Sequence, residues 1–228
     1  MNHPFLSLED LNFSYQKERP LLHINQFQIE QAERLFLHGP SGSGKSTLLA
    51  LLTGIQVPSS GKIMINNTDL TPLSQTKRDQ FRGENIGYIF QSFNLIPYLT
   101  VLENILLPMQ INPKRNREKN NSITESANEL AHKLGITRYL NTTTHNLSIG
   151  EQQRVAACRA LIGHPPFIIC DEPTSSLDVD NAHQFLDTLL SESKKYLSTV
   201  LFVSHDNRLA HHFDRKVSLS EINKGKVP

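Results

Sequence analysis

The sequence predicts an α/β protein with a mostly parallel sheet, and three observations lead to this fold class. Short apolar runs alternate with longer helical patterns along the 228 residues, as in proteins built from βαβ units. Residues 167–170 form an uninterrupted apolar run and residues 199–203 nearly do so, which is typical of strands buried on both faces. A glycine-rich turn stands between a third apolar run, 34–38, and a helical pattern.

The individual elements follow from local patterns. Residues 5–15 and 21–29 predict two strands joined by a polar turn at 16–20. The remaining predicted strands cover residues 34–38, 62–65, 86–90, 167–170, 199–203 and 216–219. The predicted helices cover residues 46–53, 100–110, 123–134, 148–162, 178–196 and 207–213. The basic stretch 112–121 favours a solvated loop over a partner site.

The composition excludes several classes of protein. Lysine and arginine number 23 against 22 acids, a net charge of +1, which gives no support to a nucleic-acid-binding face. With 38% hydrophobic and 20% charged residues, the chain is expected to be globular and neither disordered nor membranous. The longest apolar run, 48–52, is far shorter than the roughly 20 residues of a spanning helix. The N-terminus lacks the features of a signal peptide, and Cys158 and Cys170 are expected to be buried, reduced thiols.

The glycine-rich turn fits the pattern G-x-x-x-x-G-K-[ST] between a strand and a helix. Its backbone N–H groups, with the N-terminal end of the following helix, are expected to hold the phosphates of a nucleotide. Lys45 would bridge the β- and γ-phosphates, Ser46 would ligate Mg²⁺, and Thr47 would reach the α-phosphate. The predicted nucleotide-binding residues of this loop are Gly39, Pro40, Ser41, Gly42, Ser43, Gly44, Lys45, Ser46 and Thr47.

Polar residues follow two of the buried strands. Asp171 and Glu172 come at the end of strand 167–170, and acids at the carboxyl ends of such strands face the ligand crevice of α/β sheets. Asp171 is predicted to hold Mg²⁺, and Glu172 to polarise the attacking water as general base. His205 follows strand 199–203 in the corresponding position and is predicted to act at the γ-phosphate.

A second helix start predicts a second anion site. Ser148 is an expected N-cap for the helix 148–162, where free N–H groups and the helix dipole favour an anion. Because this site lies about 100 residues after the phosphate loop, each nucleotide is expected to be shared between two subunits.

Together these motifs resemble the nucleotide-binding subunit of ATP-binding cassette (ABC) transporters, over roughly residues 6–227. In order, the chain has a Walker A loop, a Q-loop at Gln91, a signature at 147–151, a Walker B at 167–172, a D-loop at 175–178 and a switch histidine at His205. The resemblance implies one domain over 1–228. Its ATPase core and antiparallel β subdomain would take about 1–90 and 164–228, and its α-helical signature subdomain 91–163.

The resemblance also implies further roles. Ser148 and Gly150 should contact the γ-phosphate held by a second copy of the chain, and Asp178 should help to align the two sites. Gln91 should reach Mg²⁺, act in catalysis and couple the site to the membrane partner. Tyr15 stands where the family has an aromatic residue that stacks on adenine, although a core tyrosine is the alternative. The implied ligands are ATP and Mg²⁺, and the implied partners are a membrane-spanning subunit and a second copy, without nucleic acid.

Two positions depart from the family pattern. Ile149 stands where the family most often has glycine, and isoleucine does not adopt a positive φ cheaply. We expect its side chain to point away from phosphate and the site to remain functional. Thr144 stands where relatives often have proline.

A narrower resemblance concerns residues 91–105 and 150–156, which are similar to the ATPase subunits of lipoprotein-releasing and macrolide-exporter systems. It implies a cytoplasmic protein held at the inner membrane by its partner. An apolar cluster after Gln91, comprising Phe93, Leu95, Ile96, Pro97, Tyr98 and Leu99, is expected to offer a surface to that partner, although Leu95 and Leu99 could equally belong to the core.

Two other classes of protein are alternatives to an ABC transporter subunit. A soluble ABC ATPase of DNA repair or translation usually carries a coiled-coil insertion, zinc cysteines or a second cassette. A P-loop kinase would lack the signature at 147–150. His205, His211 and His212 could bind a metal, but one switch histidine and two surface histidines are favoured.

Overall fold

The structure is a computed structural model that describes residues 4–16, 21–116, 122–175 and 177–225. These residues form two compact units. The first unit comprises the described residues of 1–82 and 199–228, and the second comprises those of 83–198.

Strands and helices alternate through most of the chain. The strands are β1 (Leu6–Phe13), β2 (Leu22–Ile29), β3 (Arg34–His38), β4 (Ser60–Ile65), β5 (Thr68–Asp69), β6 (Ile86–Ile89), β7 (Phe167–Asp171), β8 (Thr199–Val203) and β9 (Arg215–Ser218). The α-helices are α1 (Lys45–Leu52), α2 (Gln75–Asn85), α3 (Val101–Ile111), α4 (Ile123–Lys133), α5 (Ile149–Leu161), α6 (Val179–Lys195) and α7 (Leu219–Ile222). Short 3₁₀ turns cover Pro113–Arg115, Thr137–Tyr139, Thr144–Asn146 and Asn207–His212.

The first unit contains two sets of strands. An antiparallel sheet has the order β2-β1-β4-β5, and Leu6 of β1 pairs with Ile29 on one side and Ile65 on the other. In the second set, β3 is parallel to both β8 and β9, so that Leu37 pairs with Val203 and with Val217. Every residue of β8 is buried, as its apolar sequence predicts.

The second unit places a parallel strand pair among helices. Strand β6 is parallel to β7, with Ile89 opposite Cys170, so the residues after both strands emerge at the same edge. Helix α5 lies directly against β6, because a Cβ at Gly87 would come within 2.2 Å of the Ala160 carbonyl oxygen. This close approach requires glycine at position 87.

A buried arginine stabilises the same packing. The guanidinium of Arg115 is only 3% exposed and donates to the carbonyls of Ile162 (2.9 Å), Ile86 (2.7 Å) and Ala160 (2.7 Å). The first and last of these carbonyls lie at the C-terminal end of α5, where a positive charge is favoured by the helix dipole.

The predicted fold class is confirmed, but three elements were not predicted, namely α2, β5 and the four-residue helix α7. Helix α2 was not predicted because only Phe81 of its 11 residues is buried, and its sequence therefore shows no helical spacing of apolar residues. Strand β5 has only two residues. The predicted helix at 207–213 is a 3₁₀ turn. Residues 17–20 of the predicted turn and 117–121 of the basic loop lie outside the described residues. Cys158 and Cys170 are buried and free, as expected.

Candidate nucleotide-binding site

The phosphate loop leads into a helix whose N-terminus carries no side-chain cap. Gly44 is the N-cap of α1, with φ at 98°, and the first turn contains no acidic residue. A Cβ at Gly44 would lie 2.9 Å from Leu22 Cδ2, so both the positive φ and the neighbouring strand require glycine. Since the first N–H groups of a helix have no partner within the helix, those of α1 are available to an anion.

The side chains of this loop also fit a phosphate. Lys45 Nζ donates to the carbonyls of Gly39 (2.8 Å) and Pro40 (3.0 Å), which holds the ammonium group across the loop. Ser43 Oγ is buried without a hydrogen-bond partner, and a buried hydroxyl normally has one. The loop therefore combines a positive charge, an unsatisfied hydroxyl and uncapped amides, the donor set that a nucleotide phosphate needs.

Tyr15 lies on the surface of the same unit, so the alternative of a core tyrosine is wrong. Its side chain is 65% exposed. The ring meets Phe13 edge-on at 4.9 Å between centroids, and the hydroxyl lies 3.4 Å from Thr47 Oγ1, at the start of α1. An exposed ring held by these two contacts can serve as a stacking platform for a base.

In the second unit, the ends of β6 and β7 bring three predicted residues to one edge. Asp171 is the last residue of β7, Glu172 follows it, and Gln91 comes two residues after β6. Glu172 has a φ of 47°, a left-handed conformation that costs a non-glycine residue energy and is concentrated at functional sites. The turn at Glu172 thus directs the chain sharply away from the strand end.

Tyr88 on β6 contacts the predicted metal ligand. Its hydroxyl donates to Asp171 Oδ2 at 3.4 Å. Burial and the neighbouring Asp171 carboxylate raise the pKa of Tyr88 well above its usual value, so the phenol remains a proton donor.

His205 follows β8 in the first unit and is exposed. The turn that carries it is fixed by Ser204, whose Oγ accepts the N–H of Asp206 at 3.1 Å. Asp206 in turn accepts the N–H of Arg208, and this arrangement leaves the imidazole at the strand end, where it was predicted.

The signature segment, residues 147–151, has a complete capping box. Ser148 Oγ accepts the N–H of Glu151 at 3.4 Å, while Glu151 Oε2 accepts the N–H (2.9 Å) and the Oγ–H (2.8 Å) of Ser148. Hydrogen bonds from Tyr139 and Ser148 hold the pKa of Glu151 below its usual range. The first turn of α5 is therefore capped by its own side chains and carries a negative charge.

A pocket of about 510 Å³ opens beside this helix start, and its lining includes Ser148, Ile149, Gly150 and Asp178. Asp178 caps α6 by accepting the N–H of Asn181 at 2.9 Å. The pocket joins the predicted signature and D-loop residues within one unit, although Ser176 of the D-loop lies outside the described residues.

Ile149 occupies the first position of α5, with a backbone that is not in the left-handed region. The glycine usual in the family is therefore not required here for a positive φ. The side chain is 57% exposed and lines the pocket. Its direction relative to a bound phosphate stays a prediction.

The segment after Gln91 is folded against the signature helix, and one of its expected surface residues is buried. Phe93 is only 7% exposed, and Phe93 and Asn94 form a turn in which both have positive φ, 61° and 48°. Arg159 of α5 holds this turn by donating to the carbonyls of Phe93 (2.5 Å) and Asn94 (2.7 Å). The prediction that Phe93 is a surface residue was wrong, whereas Tyr98 is 76% exposed.

A second connection joins residues 96–99 to the chain that enters the signature. Thr144 Oγ donates to the Ile96 carbonyl at 2.9 Å, and the Thr144 N–H donates to the Leu99 carbonyl at 3.1 Å. Proline, which relatives often have at this position, could make neither bond.

The comparisons with known proteins decide the family. The chain matches the family model described as "ABC transporter" over residues 22–175. This chain belongs to the ABC transporter family. Two proteins of Mycobacterium tuberculosis, both named "Uncharacterized ABC transporter ATP-binding protein", are each 39% identical over 219 residues, which is 95% of this chain and 87% of theirs.

Solved structures of ABC cassettes superpose on most of the chain. The dimeric structure of MJ0796, titled a bacterial ABC transporter cassette, has a TM-score of 0.83 and 32% identity, and covers 93% of each chain. A dimeric post-hydrolysis structure of MJ0796 with ADP and Pi has the same TM-score and identity over 97% of this chain and 96% of that one. CbiO1 from Clostridium perfringens, part of the complex cbiONQ, reaches 0.82 at 27% identity over 94% and 84%. This ABC cassette is accordingly an ATPase that binds nucleotide.

Sequence reasoning missed three residues that the structure places at these sites, namely Tyr88, Arg159 and Glu151. A capping-box pattern could have found Glu151, since it stands three positions after Ser148. Tyr88 and Arg159 act across distances of 83 and 66 positions, which no local pattern reveals. Among the described residues, no helix is long and apolar enough to cross a membrane.

Proposed function

We propose that this ABC ATPase energises a membrane-spanning partner by closing, on ATP, into a head-to-tail dimer with a second copy of itself. The observation that carries the proposal is the pair of helix N-termini in one chain. Helix α1 starts uncapped at Gly44, and α5 opens on a pocket lined by Ser148 and Gly150. The dimeric MJ0796 structures support self-association.

The residues of the phosphate loop hold the nucleotide. Lys45 exchanges its bonds to the Gly39 and Pro40 carbonyls for phosphate oxygens, and the first amides of α1 surround the same anion. Thr47 reaches the α-phosphate, and Tyr15 stacks on the base. The Ser46 hydroxyl and the oxygens of Asp171 and Gln91 are hard donors of the kind that Mg²⁺ prefers. Bound there, Mg²⁺ would neutralise charge on the β- and γ-phosphates.

Glu172 and His205 carry the hydrolytic step. The Glu172 carboxylate takes up a proton from the attacking water as general base. His205 contacts the γ-phosphate from the end of β8, and Gln91 orients the water. These roles follow from the strand-end positions of the three residues and from the family.

The second copy supplies the other half of each site. Ser148 and the Gly150 N–H of one chain contact the γ-phosphate held by its partner, while Asp178 aligns the two sites. In a lone chain the Ser148 hydroxyl is already donated to Glu151, so the signature gains a phosphate only when a loaded partner presents one.

Size-exclusion chromatography with light scattering, in ATP and MgCl₂, tests the dimer. The Glu172→Gln chain should dimerise, because it binds ATP but hydrolyses it slowly. Adding Ser148→Arg should give a monomer, whereas adding the matched Ser191→Arg, on the exposed face of α6, should leave the dimer. If the Ser148→Arg protein dimerises as well as the Ser191→Arg protein, the signature does not lie in the dimer interface.

The membrane partner docks at Tyr98 and its neighbours. Tyr98 is exposed on the segment that Arg159 and Thr144 connect to the signature helix, so a partner there would be coupled to the nucleotide. The resemblance of residues 91–105 to the lipoprotein-releasing and macrolide-exporter group supports this proposal, and with it a position on the cytoplasmic face of the inner membrane.

Affinity purification from detergent-solubilised membranes tests this docking. Tyr98→Asp should lower recovery of a membrane-spanning protein at least fivefold, because a loss of about 1 kcal/mol of binding free energy weakens binding by about that factor. Ile111→Asp is the matched control, since Ile111 is 75% exposed in the same unit. Equal recovery with both variants would move the docking surface elsewhere, and recovery of only soluble proteins would favour an ABC ATPase of DNA repair or translation.

A further inference from the structure

Tyr88 and Asp171 are brought together by the register of two parallel strands. Tyr88 pairs with Ile169 across β6 and β7, and Asp171 lies two residues after Ile169 on the same face of the pair. Phe90 is likewise two residues after Tyr88, and the rings of Tyr88 and Phe90 lie 4.2 Å apart between centroids. The phenol is thereby directed along the strands towards the Asp171 carboxylate.

The Tyr88 hydroxyl engages one defined oxygen of that carboxylate. It donates to Oδ2 at 3.4 Å, and the tyrosine is half-buried. A donor to one oxygen restrains rotation of the carboxyl group. A hydrogen bond to an ionised group is also stronger than one between neutral groups.

We propose that Tyr88 is a positioning residue for the metal-holding carboxylate, and that it strengthens the binding of nucleotide with Mg²⁺ over the binding of nucleotide alone. This inference rests on the proposed role of Asp171. It assigns to Tyr88 a contribution that depends on the cation and not on the adenine or the phosphate loop, because its hydroxyl donates to Asp171, the proposed metal ligand.

The test measures the affinity of labelled ATP for the full chain by fluorescence anisotropy, once in EDTA and once in saturating MgCl₂. The readout is the ratio of the two dissociation constants, which reports the gain from Mg²⁺. Tyr88→Phe removes only the hydroxyl and keeps the ring against Phe90. It should lower the ratio about threefold to tenfold, in keeping with a long hydrogen bond to a charged group, and leave the dissociation constant in EDTA unchanged.

Two further variants make the result specific. Tyr196→Phe removes the hydroxyl of a tyrosine whose ring stacks on His164, a residue that precedes β7, and should keep the wild-type ratio. Asp171→Asn should lower the ratio more than Tyr88→Phe does.

Each other outcome overturns a separate statement. If Asp171→Asn lowers the ratio and Tyr88→Phe does not, Tyr88 has no positioning role. If Tyr88→Phe weakens binding equally in EDTA and MgCl₂, its role is structural and the inference is wrong. If Asp171→Asn itself leaves the ratio unchanged, the proposed metal role of Asp171 fails.

Discussion

Helices α1 and α5 both start at a site where the sequence predicts a bound phosphate, but their first turns differ. The first turn of α1 follows a left-handed glycine and has neither a side-chain cap nor an acidic residue. That of α5 is closed by the Ser148–Glu151 capping box and carries the Glu151 charge. Free amides favour an anion and a capped, negatively charged turn opposes one. The comparison supports the proposal that the phosphate loop holds a nucleotide alone and that the signature completes the site only when a loaded partner approaches.

The largest expected effect is a loss of ATP hydrolysis without a loss of ATP binding. Glu172→Gln alters neither helix N-terminus but removes the general base, so turnover should fall by about 10²–10⁴, the range for such a loss. ATP affinity should stay within about twofold of wild type. Steady-state ATPase assays and ATP-binding titrations measure the two quantities. A Gln variant with near-normal turnover would show that another group activates the water.

Substituting one glycine in each region tests the contrast directly. Gly44→Ala forces a Cβ into the left-handed region and against Leu22, a strain of about 1–3 kcal/mol. ATP binding by the isolated chain should therefore weaken about fivefold to a hundredfold. Gly150→Ala adds a Cβ whose nearest contact among the described residues is Leu177, at 3.8 Å, and should leave this affinity unchanged. If both variants lost affinity equally, the signature would be holding nucleotide within the monomer.

Glu151→Gln should make the two helix starts more alike. Glutamine keeps an acceptor for the capping box but removes the charge that faces an incoming phosphate. In the Glu172→Gln background, the ATP-dependent dimer should tighten about twofold to fivefold, a modest gain because solvent screens this partly exposed carboxylate. Sedimentation equilibrium measures the dimer constant, with Glu129→Gln on α4 as the control. A weaker dimer would mean that the negative charge assists assembly.

The smallest effect is a pH dependence confined to α5. Because the pKa of Glu151 is lowered in the folded chain, its ionised form stabilises the fold above the ordinary pKa of glutamate, and this contribution is lost as the pH falls through the lowered value. Glu151→Ala should destabilise by about 0.3–1 kcal/mol at neutral pH. The difference in thermal midpoint from wild type should shrink towards pH 3. A difference that does not change with pH would exclude the carboxylate as its source.

Features that depend on residues close together in the sequence could be predicted, and features that depend on residues far apart in the sequence could not. The phosphate loop, the ends of β7 and β8, and the Ser148 cap were predictable because each depends on neighbouring residues. Helix α2 was not, since one buried residue in 11 leaves no period to detect. The burial of Phe93 was not either, because the turn that buries it is held by Arg159, 66 positions away.

The double attachment of residues 93–99 has a consequence for how work is transmitted. Arg159 fixes one end of this segment to α5, and Thr144 fixes the other to the chain that enters Ser148. A linkage anchored at both ends has little slack, so a partner docked at Tyr98, as proposed, would be connected to the start of α5 with little freedom of movement in between. The connection is therefore stiff. Thr144 adds two hydrogen bonds to it that a proline at this position could not make.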